Sequence, residues 1–167
     1  MKKELQITKK FLNQIRHDLN RPHEFAYERV GFVFAKSESS NGSLIASAYQ
    51  PIADENYIKD MMVGAKFSGE VIPKAMQRSL KTREAVFHIH IHDHTGEPEL
   101  SGIDIRSVTE IASAVSEVCP ETSHGCILLS EDSYKTYVLD KNKRLQKIKT
   151  QIVGFPFSLF YPNGVSL

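Results

Sequence analysis

The stretch Glu84 to His92, EAVFHIHIH, has no turn-forming residue and places histidine at every second position from His88, a spacing that His94 continues. It reads as a strand, and in a strand alternate side chains share one face. That face must accept a row of imidazoles. Packed there as neutral rings, they leave nitrogens that need partners. Residues two apart on a strand have Cα atoms roughly 6.5–7 Å apart, a span that two imidazoles can close over one metal ion. His-x-His on this strand is therefore a natural metal clamp.

Around it the chain alternates between strand and helix patterns without a regular βα repeat, which indicates an α+β class. ELQIT reads as a first strand, and Thr8 caps a helix over about residues 9–19 with Phe11, Leu12, Ile15 and Leu19 at helical spacing. RPHE breaks it. ERVGFVFAKSE and LIASAYQPI form an antiparallel pair through the Asn-Gly turn of Ser39 to Ser43. A helix from roughly Gly69 to Leu80 carries Ile72, Ala75, Met76, Ser79 and Leu80 on one face, and a second, Ser101 to about Val118, carries Val108, Ile111, Ala112 and Val115. GCILLSE, SYKTYVLD and QIVGFPFSLFYP supply three further runs. The aromatic end, Phe155, Phe157, Phe160 and Tyr161, reads as core or sheet edge. A length of 167 residues is that of one domain, 1–167.

Net charge is +1, which gives no electrostatic case for nucleic acid or an anionic membrane surface. Apolar runs such as Val30 to Ala35 are too short to span a bilayer. The start, MKKELQITKK, has no apolar segment behind its basic residues and does not read as a signal peptide. Cys119 and Cys126 lie outside the CxxC spacing and read as buried free thiols. These features fit a reducing cytoplasm.

Catalytic zinc usually has three protein ligands and an open position, so two histidines need a third partner. Asp104 supplies it if the loop after the strand folds back. Ser101-x-x-Asp104 is also a helix-capping pattern, and the two roles are compatible. A Ser-His-Asp hydrolase would use the same residue types, but no G-x-S-x-G elbow surrounds Ser101. A zinc hydrolase further needs a proton acceptor that is not a ligand, and spacing alone does not choose one among the carboxylates.

ERVGFVFA, followed at a distance by His-x-His and Ser-x-x-Asp, resembles the JAMM/MPN (JAB) zinc metalloprotease family, whose pattern is E-x-x-G-x-x-x-G and then H-x-H-x(7)-S-x-x-D. Glu28 and Gly31 fall on the first part, with Ala35 in place of its last glycine; Ser101 and Asp104 fall on the end of the second. Seven residues counted back from Ser101 lead to Asp93, between His92 and His94. The pair is then His90 and His92 with one inserted residue, or His92 and His94 with one deleted. We prefer His90 and His92, because an insertion in an exposed loop is tolerated whereas a shortened loop asks Asp104 to reach further. The family's usual proline after the second histidine is absent.

The resemblance implies a JAB/MPN-like domain with a mixed curved sheet flanked by helices. His90, His92 and Asp104 would hold Zn2+, Glu28 would take a proton from water, and Ser101 would stabilise the oxyanion; His88 and His94 would orient a ligand or touch substrate. It further implies a bacterial, deubiquitinase-like isopeptidase of the cytoplasm that cleaves after the C-terminal glycine of a ubiquitin-like modifier in a ubiquitination-like antiviral defence pathway. The partners implied are the modifier or its conjugates, and E1-like and E2-like proteins of that pathway. A noncatalytic MPN scaffold and a zinc hydrolase of small peptide-like substrates are the alternatives. Pro51 to Phe67 would be either a modifier-gripping loop or a plain connection.

Overall fold

Thr8 ends the first strand and begins the first helix, its hydroxyl accepting a hydrogen bond from the Phe11 amide. The computed structural model describes residues 3–38, 42–60, 62–154 and 158–160, the last three as backbone only. Strands are β1 (Glu4–Thr8), β2 (Val30–Ser37), β3 (Ser43–Pro51), β4 (Ala85–Ile91), β5 (Gly125–Leu129), β6 (Tyr134–Leu139), β7 (Leu145–Gly154) and β8 (Ser158–Phe160). Helices are α1 (Lys9–Leu19), α2 (Val71–Thr82) and α3 (Gly102–Val118), with a 3-10 turn at Asp54–Asn56. Residues 39–41 of the expected Asn-Gly turn lie outside the description, as do Phe155, Phe157, Tyr161 and the side chain of Phe160 in the aromatic end.

β2 pairs antiparallel with β3 on one side and β4 on the other. β5 joins β4 in parallel, and β6 and β7 continue antiparallel. β1 lies between β3 and β7, parallel to both, in a register running from Glu4↔Lys149 to Thr8↔Val153 beside β7. That last ladder closes the sheet into a seven-strand mixed barrel, to which β8 is appended on β7.

The expectation of an α+β, JAB/MPN-like domain with a mixed curved sheet flanked by helices is thereby corrected. A curved sheet has two edges, whereas here β1 and β7 pair with each other. Alternation and turn signals reveal strands but not ring closure, because the closing ladder joins segments nearly the whole chain apart.

One apolar cluster draws on all seven barrel strands, through Leu5, Val33, Leu44, Phe87, Ile127, Val138 and Ile152 among others, and takes in Leu12, Ile15 and Leu19 of α1. Only the inside of a ring brings all its strands to one cluster, so α1 packs on the barrel interior. A second cluster joins Phe32, Phe34 and Val86 to Val71 and Ala75 of α2 and Ile111 and Val115 of α3. β4 takes part in both. Phe87, Ile89 and Ile91 face the interior, and Val86, His88 and His90 face outward beneath the helices. The whole strand is buried, which suits its lack of polar residues other than histidine.

On α2 the buried residues are Val71, Ala75 and Ser79, and Leu80 is 47% exposed, so the inward face is rotated from the expected one. The Ser79 hydroxyl is turned inward to donate to the Glu84 carbonyl at 2.7 Å. Cys119 and Cys126 are buried and unbridged. Among the described residues, no helix is long and apolar enough to cross a membrane.

Candidate metal centre

The histidine row begins inside the protein and ends at its surface. His88 and His90 are buried on the outer face of β4, and the His92 amide extends the ladder past the strand end by donating to the Leu129 carbonyl at 2.9 Å. Successive ring centroids from His88 to His94 are 5.3, 5.1 and 5.8 Å apart. His94 is exposed, with Nδ1 2.8 Å from the Thr95 carbonyl oxygen.

Asp104 reaches this row from the first turn of α3. Ser101 caps the helix, its Oγ accepting from the Asp104 amide at 3.1 Å while Asp104 Oδ2 accepts from the Ser101 amide at 2.7 Å. Such a reciprocal cap satisfies two helix-end donors and is worth about 1 kcal/mol. Here it also aims the carboxylate. Asp104 Oδ1 lies 3.4 Å from His90 Nε2, and Oδ2 lies 3.6 Å from His92 Nε2. The cap uses acceptor capacity on Ser101 Oγ and leaves its hydroxyl hydrogen available to a substrate oxygen.

The loop of Asp93 to Leu100 is tied down at several points. The Ser130 hydroxyl donates to the Gly96 carbonyl at 2.6 Å, and the Gly96 amide donates to Asp132 at 2.7 Å. Lys135, almost wholly buried, pairs with Glu97 at 3.2 Å and with Glu99. These ties hold the loop while Ser101 is delivered to the strand end.

Glu28 enters from the other side. One ligand atom each of Glu28, His90 and His92 lies within 4.8 Å of the others. Two imidazoles therefore face two carboxylates. The structure brings together Glu28, His90, His92 and Asp104, with Ser101 beside them; His94 makes no contact with either carboxylate among those described, and His88 lies deeper, against Phe32 and Phe67.

Glu28 precedes β2 and is held by the segment Pro51 to Phe67. The amides of Tyr27 and Glu28 both donate to the Gly64 carbonyl at 2.9 Å. A Cβ on Gly64 would stand 2.7 Å from Glu28 Oε2, so only glycine leaves the carboxylate its place. His23 Nδ1 accepts from the Phe25 and Ala26 amides at 3.3 and 3.2 Å, which assigns the ring proton to Nε2, and Nε2 donates to the Glu28 carbonyl at 3.1 Å. Buried Arg29 donates to the Arg21 carbonyl at 2.7 Å and to Asp54 at 2.6 Å. Tyr57 Oη accepts from the Val30 amide at 2.9 Å and fixes the start of β2.

Sequence reasoning left that segment unassigned. It passed over Gly64, Arg29, Tyr57, His23 and Lys135, for which no spacing signal exists. Gly64→Ala should push the Glu28 carboxylate out of its place beside His90 and His92 without unfolding the protein. NMR shifts of the His90 and His92 rings, compared with wild type, check this, and unchanged shifts would free Glu28 from dependence on Gly64.

The two carboxylates differ in their surroundings. Burial raises the pKa of Glu28; the nearby His90 opposes the rise and Asp104 adds to it. Burial would also raise Asp104, but proximity of His90 and the bonds from Ser101 outweigh it and hold the carboxyl well below the usual range. Burial lowers His92, with His90 adding to the effect and Asp104 opposing it, and lowers His88 to about 3, so both rings are neutral near pH 7. A metal ion binds neutral imidazole and ionised carboxylate, the forms favoured here for His92 and Asp104.

The donor set also fits a cation on direct grounds. Both ring nitrogens of buried His90 lack a hydrogen-bond partner, because the contact with Asp104 at 3.4 Å does not meet hydrogen-bond geometry. Two imidazoles and a carboxylate are a known zinc ligand combination.

No protein-family model and no curated protein matches this sequence. Among solved structures, the chain is similar to the solution structure of protein DSY2949 from Desulfitobacterium hafniense, a Northeast Structural Genomics Consortium target. The TM-score is 0.56 at 12% identity, over 90% of this chain and 93% of that one. At such identity the likeness concerns the fold alone.

Proposed function

We propose that the protein is a zinc-dependent peptidase or isopeptidase that cleaves after the C-terminal glycine of a ubiquitin-like modifier, either to release the modifier from a target or to trim its precursor. The observation that carries the chemistry is the meeting of two imidazoles, His90 and His92, with two carboxylates, Glu28 and Asp104. The choice of modifier rests on the likeness of Glu28, the histidine pair, Ser101 and Asp104 to the JAMM motif. That likeness is one of sequence motif, and the closed sheet departs from it.

His90, His92 and Asp104 would hold the zinc, which when bound supplies a Lewis acid for the scissile carbonyl and lowers the pKa of water. Glu28 accepts the proton of the attacking water and passes it to the departing amine. The Ser101 hydroxyl donates to the oxygen that gains charge, while its cap to Asp104 keeps it in place. Cytoplasmic action in a bacterial defence pathway, with E1-like and E2-like partners, completes the reading.

The test is incubation of zinc-loaded protein with linear and lysine-linked fusions of bacterial ubiquitin-like modifiers. Cleavage after the terminal glycine, abolished by a chelator, is expected. Intact fusions after prolonged incubation would remove the modifier from the reading.

A further inference from the structure

A cavity of about 250 Å³ opens beside Glu28, His90 and Asp104, between α3 and the segment that holds Glu28. Its walls include Val63, Phe67, Val108 and Ile111, and His88 lines it as well. The volume lies below that of pockets for drug-sized ligands and suits a single side chain. Lys66 and Glu110 also line it; Lys66 is paired with Asp60 at 3.0 Å, and Glu110 is exposed to water. His88 differs from both. It is 6% exposed, its Nδ1 has no hydrogen-bond partner, and its neighbours on two sides are the rings of Phe32 and Phe67. Nδ1 is covered and unpaired, which is costly, and the part of the ring that lines the cavity is its remaining edge.

We infer that the cavity is a specificity pocket for the residue on the leaving side of the scissile bond, and that it selects an uncharged side chain with an apolar body and a hydrogen-bonding tip, of the glutamine kind, which pairs with His88. This rests on the peptidase reading. The glycine that ends a modifier has no side chain to place here, so the pocket belongs to the residue across the bond. An apolar wall favours the methylene groups of such a side chain, and a polar floor disfavours a residue that leaves it unpaired.

Zinc-loaded Glu28→Gln protein, which lacks the proton acceptor, tests this with peptides acetyl-Leu-Gly-Gly-Xaa-Ala-amide, Xaa being glutamine, glycine, lysine or glutamate. Affinities are read from NMR shifts. The glutamine peptide should bind about tenfold more tightly than the glycine peptide, as one net hydrogen bond with some apolar burial predicts. Adding His88→Leu should bring that ratio close to one and leave the affinity of the glycine peptide in place. Since this substitution alters a buried strand, Ser107→Phe, placed on the exposed side of α3 at the cavity, gives a second variant in which the ratio should also collapse. Equal affinities, undetectable binding of every peptide, a lysine or glutamate peptide bound best, or a preference that survives both substitutions overturns the pocket. Wild-type cleavage is scored separately. Preference without cleavage removes the peptidase reading and leaves only a binding pocket for such a side chain, whereas cleavage without preference keeps the peptidase reading and overturns the pocket.

Discussion

Alanine at His92 should abolish zinc binding at the proposed site. Wild-type protein is expected to hold about one zinc ion per chain, as a site with three protein ligands does. His92 supplies one ligand atom of the cluster with His90 and Glu28, and Asp104 Oδ2 lies 3.6 Å from its Nε2. Loss of a supporting residue around a metal typically lowers affinity by about 10–100-fold, and loss of a ligand should exceed that. His90→Ala should act in the same way. His94→Ala should leave zinc in place, because His94 sits at the exposed end of the row with its Nδ1 against the Thr95 carbonyl. Elemental analysis of the three variants beside the wild type settles the pair. Zinc lost with His94 and kept without His90 would exchange the ligands for the shorter-loop alternative.

Glu28→Gln should keep zinc and reduce turnover by about 10²–10⁴-fold, the usual contribution of a positioned general base. The amide preserves size and cannot take the proton. This prediction also discriminates between the two carboxylates, since each lies within reach of both imidazoles. The bonds from Ser101 favour the ionised form of Asp104, while burial raises Glu28, and such divergence separates a ligand from a proton carrier. Were zinc to leave with Glu28→Gln and remain in Asp104→Asn, the two roles would be exchanged. The pH profile has a defined sign. A base works when ionised, so activity is lost as pH falls through the pKa of Glu28, which burial moves upward from the ordinary carboxylate value.

The candidate site was largely legible in the sequence because its signals are local. The spacing of two residues on a strand puts His90 and His92 on one face, and the capping pattern aims Asp104 from the first turn of a helix. Glu28 was singled out only through a family motif, since its position depends on Asp54, Tyr57 and Gly64, whose bonds to residues 27–30 join distant parts of the chain. Barrel closure was not legible. β1 carries no mark that distinguishes a partner in β7 from an open edge, and the first half of β7, LQKIKT, reads as charged because its lysines face water. The alternation that places Thr150 and Ile152 inside begins beneath that charge. Leu80 on α2 was misplaced for a related reason: helical periodicity gives an apolar face, but the turn of the helix about its axis is set by the Ser79 bond to Glu84.

The β1–β7 seam bears on how the chain is made. The candidate metal ligands are all synthesised by Asp104, yet the strand that seals the barrel begins at Leu145. A nascent chain arrested between those points has every candidate ligand and an unsealed β1 with one row of backbone donors and acceptors unsatisfied. Such long-range pairing is slow to form, and open strands recruit other chains. Expression yield should therefore depend on protection of that seam during translation far more than on zinc supply.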